Sequence, residues 1–152
     1  MPTTLSAFGD ATIQSITYNA QKECWVIKFD KDLTTIGVGA FAECVSLTSV
    51  TIPDSVTTIG ESASIFCQSL TNVNIPDSVT TIGDGAFVFC GFTSVTIPNS
   101  VTTIGSSAFG YCSSLTSVTI GDSVTTIGEW AFYNCDSLTS VYCKATTPPS
   151  LD

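Results

Sequence analysis

The chain has 152 residues, of which 43% are hydrophobic and 11% charged, a length that suits one domain with a continuous core. Thirteen acidic against four basic side chains leave a net charge of −9, which makes nucleic acid and anionic lipid poor partners. Histidine is absent, which removes the usual general base at neutral pH and the commonest nitrogen ligand for zinc.

In chain order, residues 1–23 read as an N-terminal cap. The start, MPTTLSAFGD, shows no basic or apolar region of a signal peptide. The stretch ATIQSITYNAQKECWVIKF at 11–29 predicts a β-hairpin turning at Asn19–Lys22, placed to shield the first coil of a repeat array. Residues 24–44, CWVIKFDKDLTTIGVGAFAEC, form a degenerate first copy of the repeat that carries Trp25, Lys28 and Lys31. The tetrapeptide TTIG then recurs at Thr34, Thr57, Thr80, Thr102 and Thr125, in steps of 23, 23, 22 and 23 residues. The short step arises where CQSLT at 67–71 becomes CGFT at 90–93, with Phe92 in the Leu slot.

One unit reads L-T-S-V-T-I-P-D-S-V-T-T-I-G-x-x-A-F-x-x-C-x-S. Its opening alternates apolar and polar β-branched residues, which predicts a short strand closed by Pro53, Pro76 and Pro98. An Asp-Ser turn comes next, then a second brief extended piece, V-T-T-I, and a corner at Gly60 and its equivalents. The segment x-x-A-F-x-x-C predicts one or two helical turns with Ala, Phe and Cys facing inward. Three flaws mark the array: Ser64 replaces a Phe, Gly121 replaces a Pro, and the 90–93 step is short. The repeats and a closing strand occupy 24–143. In the tail, 144–152, Lys144 and Pro148-Pro149 are expected to discourage further strand addition.

A single unit cannot bury its Leu, Val, Ile, Phe and Cys, whereas stacked units can, because each apolar position sits over its copy in the next coil. The expected fold is a repeat solenoid. The pattern L-x-x-V-x-I…V-x-x-I-G-x-x-A-F-x-x-C over Cys24–Cys143 resembles the BspA-type leucine-rich repeat family, and SVYCKATTPP at 140–149 looks like the ending of such arrays in gut bacterial surface proteins. The resemblance implies a leucine-rich-repeat right-handed coil, with a parallel β-sheet on one face and short helical or 3₁₀ turns on the other. It also implies a non-enzymatic cell-surface or secreted adhesion module that contacts a host extracellular or cell-surface protein.

Cys44, Cys67, Cys90, Cys112 and Cys135 share one slot, with Cys24 and Cys143 in the Leu and Ile slots. An odd total of seven and the lack of C-x-x-C predict buried thiols that act as small hydrophobes. No cofactor is expected. Asp54, Asp77 and Asp122 form a turn column with the residue type for weak calcium binding or a carboxylate pair, but backbone capping of the turn accounts for them.

Binding candidates fall on two surfaces. The strand face presents Ser49 and Thr51, Asn72 and Asn74, Ser94 and Thr96, Ser117 and Thr119, then Ser140 and Tyr142. The variable pair before Cys holds Phe66, Phe89 and Tyr111 in its second position and Tyr133 in its first, with Trp130 nearby. These aromatics make either an exposed stripe or packing between coils, and Phe66 has the option of turning inward to compensate for Ser64. The expected function is protein recognition through the strand face, anchored by Trp130, Tyr133 and Tyr142. Two alternatives are a structural spacer or self-assembling unit, and an ice- or carbohydrate-binding surface on the Thr57/80/102/125 and Thr58/81/103/126 ladders.

Overall fold

The computed structural model describes residue 8, residues 11–19 and residues 24–151. Two longer strands come first, β1 (Ile13–Asn19) and β2 (Cys24–Phe29), followed by β3 (Thr35–Ile36). Strands of two kinds then alternate along the chain. They are β4 (Ser49–Thr51), β5 (Thr58–Ile59), β6 (Asn72–Asn74), β7 (Thr81–Ile82) and β8 (Ser94–Ile97), then β9 (Thr103–Ile104), β10 (Ser117–Ile120), β11 (Thr126–Ile127), β12 (Ser140–Cys143) and β13 (Ser150–Leu151).

β1 and β2 pair antiparallel, from Ile13 opposite Phe29 to Asn19 opposite Cys24. The turn expected at Asn19–Lys22 falls largely outside the described residues. Reciprocal bonds tie the hairpin's start to its end: the Thr12 amide donates to Asp30 Oδ1 at 2.8 Å, and the Asp30 amide to the Thr12 carbonyl at 3.0 Å. The Thr12 donor holds the Asp30 carboxyl below its ordinary range. Phe8 is buried beside Phe29 and Phe41, at ring distances of 4.8 and 5.9 Å, and so closes the first coil.

The five T-T-I segments and the tail strand β13 build one six-stranded parallel sheet in the order β13-β11-β9-β7-β5-β3, in register copy on copy. Each coil is locked to the one before it at the following glycine: the amides of Gly60, Gly83, Gly105 and Gly128 donate to the preceding coil's Ile carbonyl at 2.6, 2.8, 2.8 and 2.8 Å. A side chain there would collide, since a Cβ on Gly105 would lie 2.5 Å from the Asp84 nitrogen. The prolines end the outer strands and start a tight turn, in which the Val56, Val79 and Val101 amides donate back to the Pro53, Pro76 and Pro98 carbonyls at 3.0–3.2 Å. Ser55, Ser78 and Ser100 each donate a hydroxyl to the previous coil at 2.7 Å, to the carbonyls of Leu33, Val56 and Val79.

The third side differs in detail from one or two helical turns. Its amides alternate between a bond three residues back and a bond to the next coil. Ala63 donates to Gly60 and Ile65 to Ser62, while Ser62 donates to Asp84, Ser64 to Ala86 and Phe66 to Val88. Every second amide is thus spent outside its own coil, so no helical ladder forms. Val56, Val79, Val101, Ile82, Ile104, Leu70, Leu115, Phe87 and Phe109 fill the interior, each at most 2% exposed. The tail also departs from expectation: beyond the two prolines, Ser150–Leu151 adds to β11 as a last strand, because the prolines precede the pairing residues and leave their amides available.

Candidate functional site

The strand face places Ser49, Thr51, Asn72, Asn74, Ser94 and Thr96 as exposed side chains, and Ser117, Thr119 and Ser140 as half-exposed ones. Tyr142 stands on β12, 63% exposed. The face is divided. β4 pairs with β6, and β8 with β10 and β12, but β6 and β8 are not hydrogen-bonded to each other. Elsewhere on this side the amides of Thr71, Thr116 and Thr139 donate to Thr48, Thr93 and Thr116 at 3.1, 2.9 and 3.0 Å. The corresponding bond from Thr93 to Thr71 is not made. A cleft of about 430 Å³ opens instead, lined by residues 72–75 of one coil, 94–97 of the next, and Asp77, Pro98, Asn99 and Lys144 at one end.

The cause is the missing residue between Cys90 and Phe92. Gly91 lies so close to the Gln68 carbonyl that no side chain would fit. Phe92 still reaches the core, fully buried, with its ring 5.6 Å from Phe87. The sequence shows the short step, yet its pattern predicts a continuous strand face, with Val73, Ile75, Val95 and Ile97 in the core alone.

The opposite side gathers the aromatics. Phe66 stacks on Phe89 at 4.9 Å, Phe89 on Tyr111 at 4.6 Å, Tyr111 meets Tyr133 edge-on at 5.6 Å, and Tyr133 meets Trp130 at 6.4 Å. Phe66 does not turn inward beneath Ser64. It is 39% exposed, as is Tyr111, while Tyr133 and Trp130 are 50% and 67% exposed. Trp130 and Tyr133 therefore share a face with Phe66, Phe89 and Tyr111, and Tyr142 belongs to the other one.

Backbone conformation explains why this column projects outward. The residue before each Cys is left-handed in all five copies: Glu43, Phe66, Phe89, Tyr111 and Asn134 have φ between 53° and 61°. So is the residue before each Ala, where Gly39, Ser62, Gly85 and Ser107 are small and Trp130, at φ 58°, is the exception. Left-handed φ turns the amide toward the next coil, where Phe66, Phe89 and Tyr111 donate to Val88, Gly110 and Tyr133 at 2.9, 3.1 and 2.7 Å. Bulky residues are outliers in this region, at a cost of about 1–3 kcal/mol each. Ring stacking, worth about 0.5–1.5 kcal/mol per pair, offsets part of that cost. No sequence signal marks these φ values, because glycine occupies only two of the ten positions.

The remaining columns are committed inward. Cys67, Cys90, Cys112 and Cys135 are buried free thiols that donate to the Phe41, Ser64, Phe87 and Phe109 carbonyls at 3.0–3.2 Å. Burial pushes Cys67 up to about 11 and Cys112 to about 12, and Cys90 and Cys135 also upward, so the nucleophilic thiolate is suppressed. Cys143 is an exposed free thiol. The hydroxyls of Thr57, Thr80, Thr102 and Thr125 donate to the preceding copy's carbonyl at 3.2–3.3 Å, leaving that ladder without a free donor for ice or sugar. Asp54, Asp77 and Asp122 are exposed, and among the described residues no three Cys, Asp or Glu side chains are grouped to hold a metal ion.

Comparison with known proteins agrees with this architecture. A leucine-rich cell surface protein of Faecalibacterium prausnitzii superposes with a TM-score of 0.74 at 27% identity, over 92% of this chain and 39% of its own. The leucine-rich repeat protein TpLRR of T. pallidum gives 0.59 at 23% identity, over 95% and 84%. The pneumococcal vaccine antigen PcpA gives 0.67 at 19% identity, over 76% and 29%. The chain thus spans well under half the length of the first and third of these. No curated protein sequence matches. The model of the BspA-type leucine-rich repeat region, in six copies, matches residues 8–111 and 80–148. The chain belongs to the BspA-type leucine-rich repeat family.

Proposed function

We propose that the chain is a non-enzymatic protein-binding module of a cell-surface or secreted protein, and that its aromatic row is the contact surface. One observation carries the reading: Phe66, Phe89, Tyr111, Tyr133 and Trp130 form a continuous, half-exposed stack, four of them on backbone positions that penalise large side chains. Tyrosine and tryptophan dominate binding hot spots, and their rigid rings lose little entropy on contact. The acidic surface favours a partner with a basic or neutral face. The description of the F. prausnitzii protein as a cell surface protein supports the location.

Capture of extracellular matrix and serum proteins by the immobilised chain tests this, with Trp130→Ala, Tyr111→Ala and Tyr142→Ala in parallel. Loss of a hot-spot ring costs about 2 kcal/mol or more, roughly 30-fold in affinity. The first two variants are expected to show it and Tyr142→Ala is not. Equal capture by all three removes the aromatic row as the contact surface.

A further inference from the structure

We infer that the cleft between β6 and β8 is a docking slot for an extended peptide of a partner protein, which enters as a strand and joins the two halves of the divided face. This goes beyond the aromatic row and occupies a different surface.

The walls of the slot are two strand edges that face each other without pairing. A strand edge is a template of backbone donors and acceptors, and sheets normally cover it, because an added strand binds there. Here both edges look into one cavity, so a single segment would be gripped from both sides. The lining follows strand alternation. Asn72, Asn74, Ser94 and Thr96 form the outer lips, and Val73, Ile75, Val95 and Ile97 the inner floor. An occupant with the same alternation, polar outward and β-branched inward, meets matching chemistry at each residue.

Size agrees with this. A strand residue takes up roughly 3.3 × 4.8 × 10 Å, about 160 Å³, from the standard rise, strand spacing and sheet spacing. The slot's 430 Å³ therefore accommodates about three residues, comparable with the three of β6 and four of β8. No aromatic ring lines the slot for a sugar to stack on, and Asp77 and Lys144 at its end offset each other in charge. Backbone pairing, rather than side-chain charge, is what the slot offers. It is bounded on both sides: the Cys90 thiol still bonds across to Ser64 at 3.2 Å before it, and the Gly105 amide to Ile82 at 2.8 Å after it. The opening is held in shape by coils that stay joined elsewhere.

The test selects binders from a random nine-residue phage-displayed peptide library on the folded chain. Their affinities are then measured on wild type, on Asn74→Trp, on Trp130→Ala, and on a variant with one Ser inserted between Gly91 and Phe92. The insertion restores the 23-residue step and should close the slot. Asn74→Trp obstructs the slot from an exposed position that the core does not use. Selected peptides are expected to bind both slot variants at least 10-fold more weakly and Trp130→Ala equally well. Amides of residues 72–74 and 94–97 are expected to exchange more slowly with peptide bound. Failure to recover binders, equal affinity on both slot variants, or no added protection at those amides overturns the proposal. Loss on Trp130→Ala alone assigns the peptides to the aromatic row and also overturns it. Protection that grows with protein concentration in the absence of peptide means a second copy fills the slot, and rules out the partner peptide.

Discussion

The V-T-T-I side and the strand face run through the same coils, yet the first is one continuous six-stranded sheet and the second is divided in two. The short step between Cys90 and Phe92 precedes both of them in the same coil, just before β8 and one strand ahead of β9. The difference lies in where slack can be absorbed. On the V-T-T-I side a glycine in every copy lets each amide reach the preceding coil at 2.6–2.8 Å, so the register is reset once per coil. The strand face has no such device immediately after the deletion. Gly91 pulls one point of the chain onto Gln68, Phe92 is drawn into the core, and the next strand starts out of bonding reach of its neighbour. A solenoid thus confines an irregularity to one side of one coil when another side carries its own closure.

The largest expected effect comes from alkaline pH, which strikes the thiols that join coils on both sides of the division. Folded Cys67 and Cys112 hold their protons up to about 11 and about 12, against an ordinary 9.0, chiefly through burial. The unfolded chain loses those protons first, so the stability they contribute is complete below pH 9 and is lost as pH rises through 9 toward 11 and 12. Melting curves under reducing conditions should show a steep fall in that range. Cys112→Ala should flatten the fall; an unchanged slope would discount the thiol column.

Next is Phe109→Ala. Its ring is fully buried between Phe87 and Phe132, at 5.3 and 5.5 Å, and the cavity left behind should cost about 3–5 kcal/mol in urea unfolding. Gly105→Ala attacks the continuous side directly, by driving a methyl into the Asp84 backbone. Overpacking of this kind costs about 1–3 kcal/mol, and amide exchange should speed up along β7 and β9. The smallest effect has the opposite sign. One Ser inserted between Gly91 and Phe92 permits the missing Thr93 amide and hydroxyl bonds to Thr71, about 0.5–1.5 kcal/mol each. A stabilised variant with protected β6 and β8 amides would confirm that the deletion alone divides the face. A destabilised one would show that the wild-type core has adapted to it.

Much of the architecture is legible in the sequence because it comes from repetition. The period places every TTI strand, the prolines and the thiol column, since stacked copies must bury the same residues in the same way. The turns between A-F and Cys are less legible. The left-handed positions before Cys hold Glu43 and Phe66, and those before Ala hold Ser62 and Trp130 as well as Gly39 and Gly85, because the conformation is demanded by bonds to the next coil and not by the local residue. Phe66 is a case of this: its outward course is set by φ, and a vacancy near Ser64 cannot redirect it. The Thr57 column reads as a free hydroxyl ladder until the structure shows each hydroxyl donating to the coil before it.

The sequence by itself determined that coils stack, which residues fill them, and that the surface is acidic, because those properties need only a period and a composition. Tertiary structure decided that the aromatic row is an exposed stack and where the ladder parts. Both depend on hydrogen bonds between coils, which a linear pattern implies in kind but cannot apportion among the sides of the solenoid. The linear pattern already sets Trp130 and Tyr133 beside Phe66, Phe89 and Tyr111; the structure adds that this row projects outward, away from Tyr142 on the strand face, since a backbone turned toward the neighbouring coil carries its side chain outward with it.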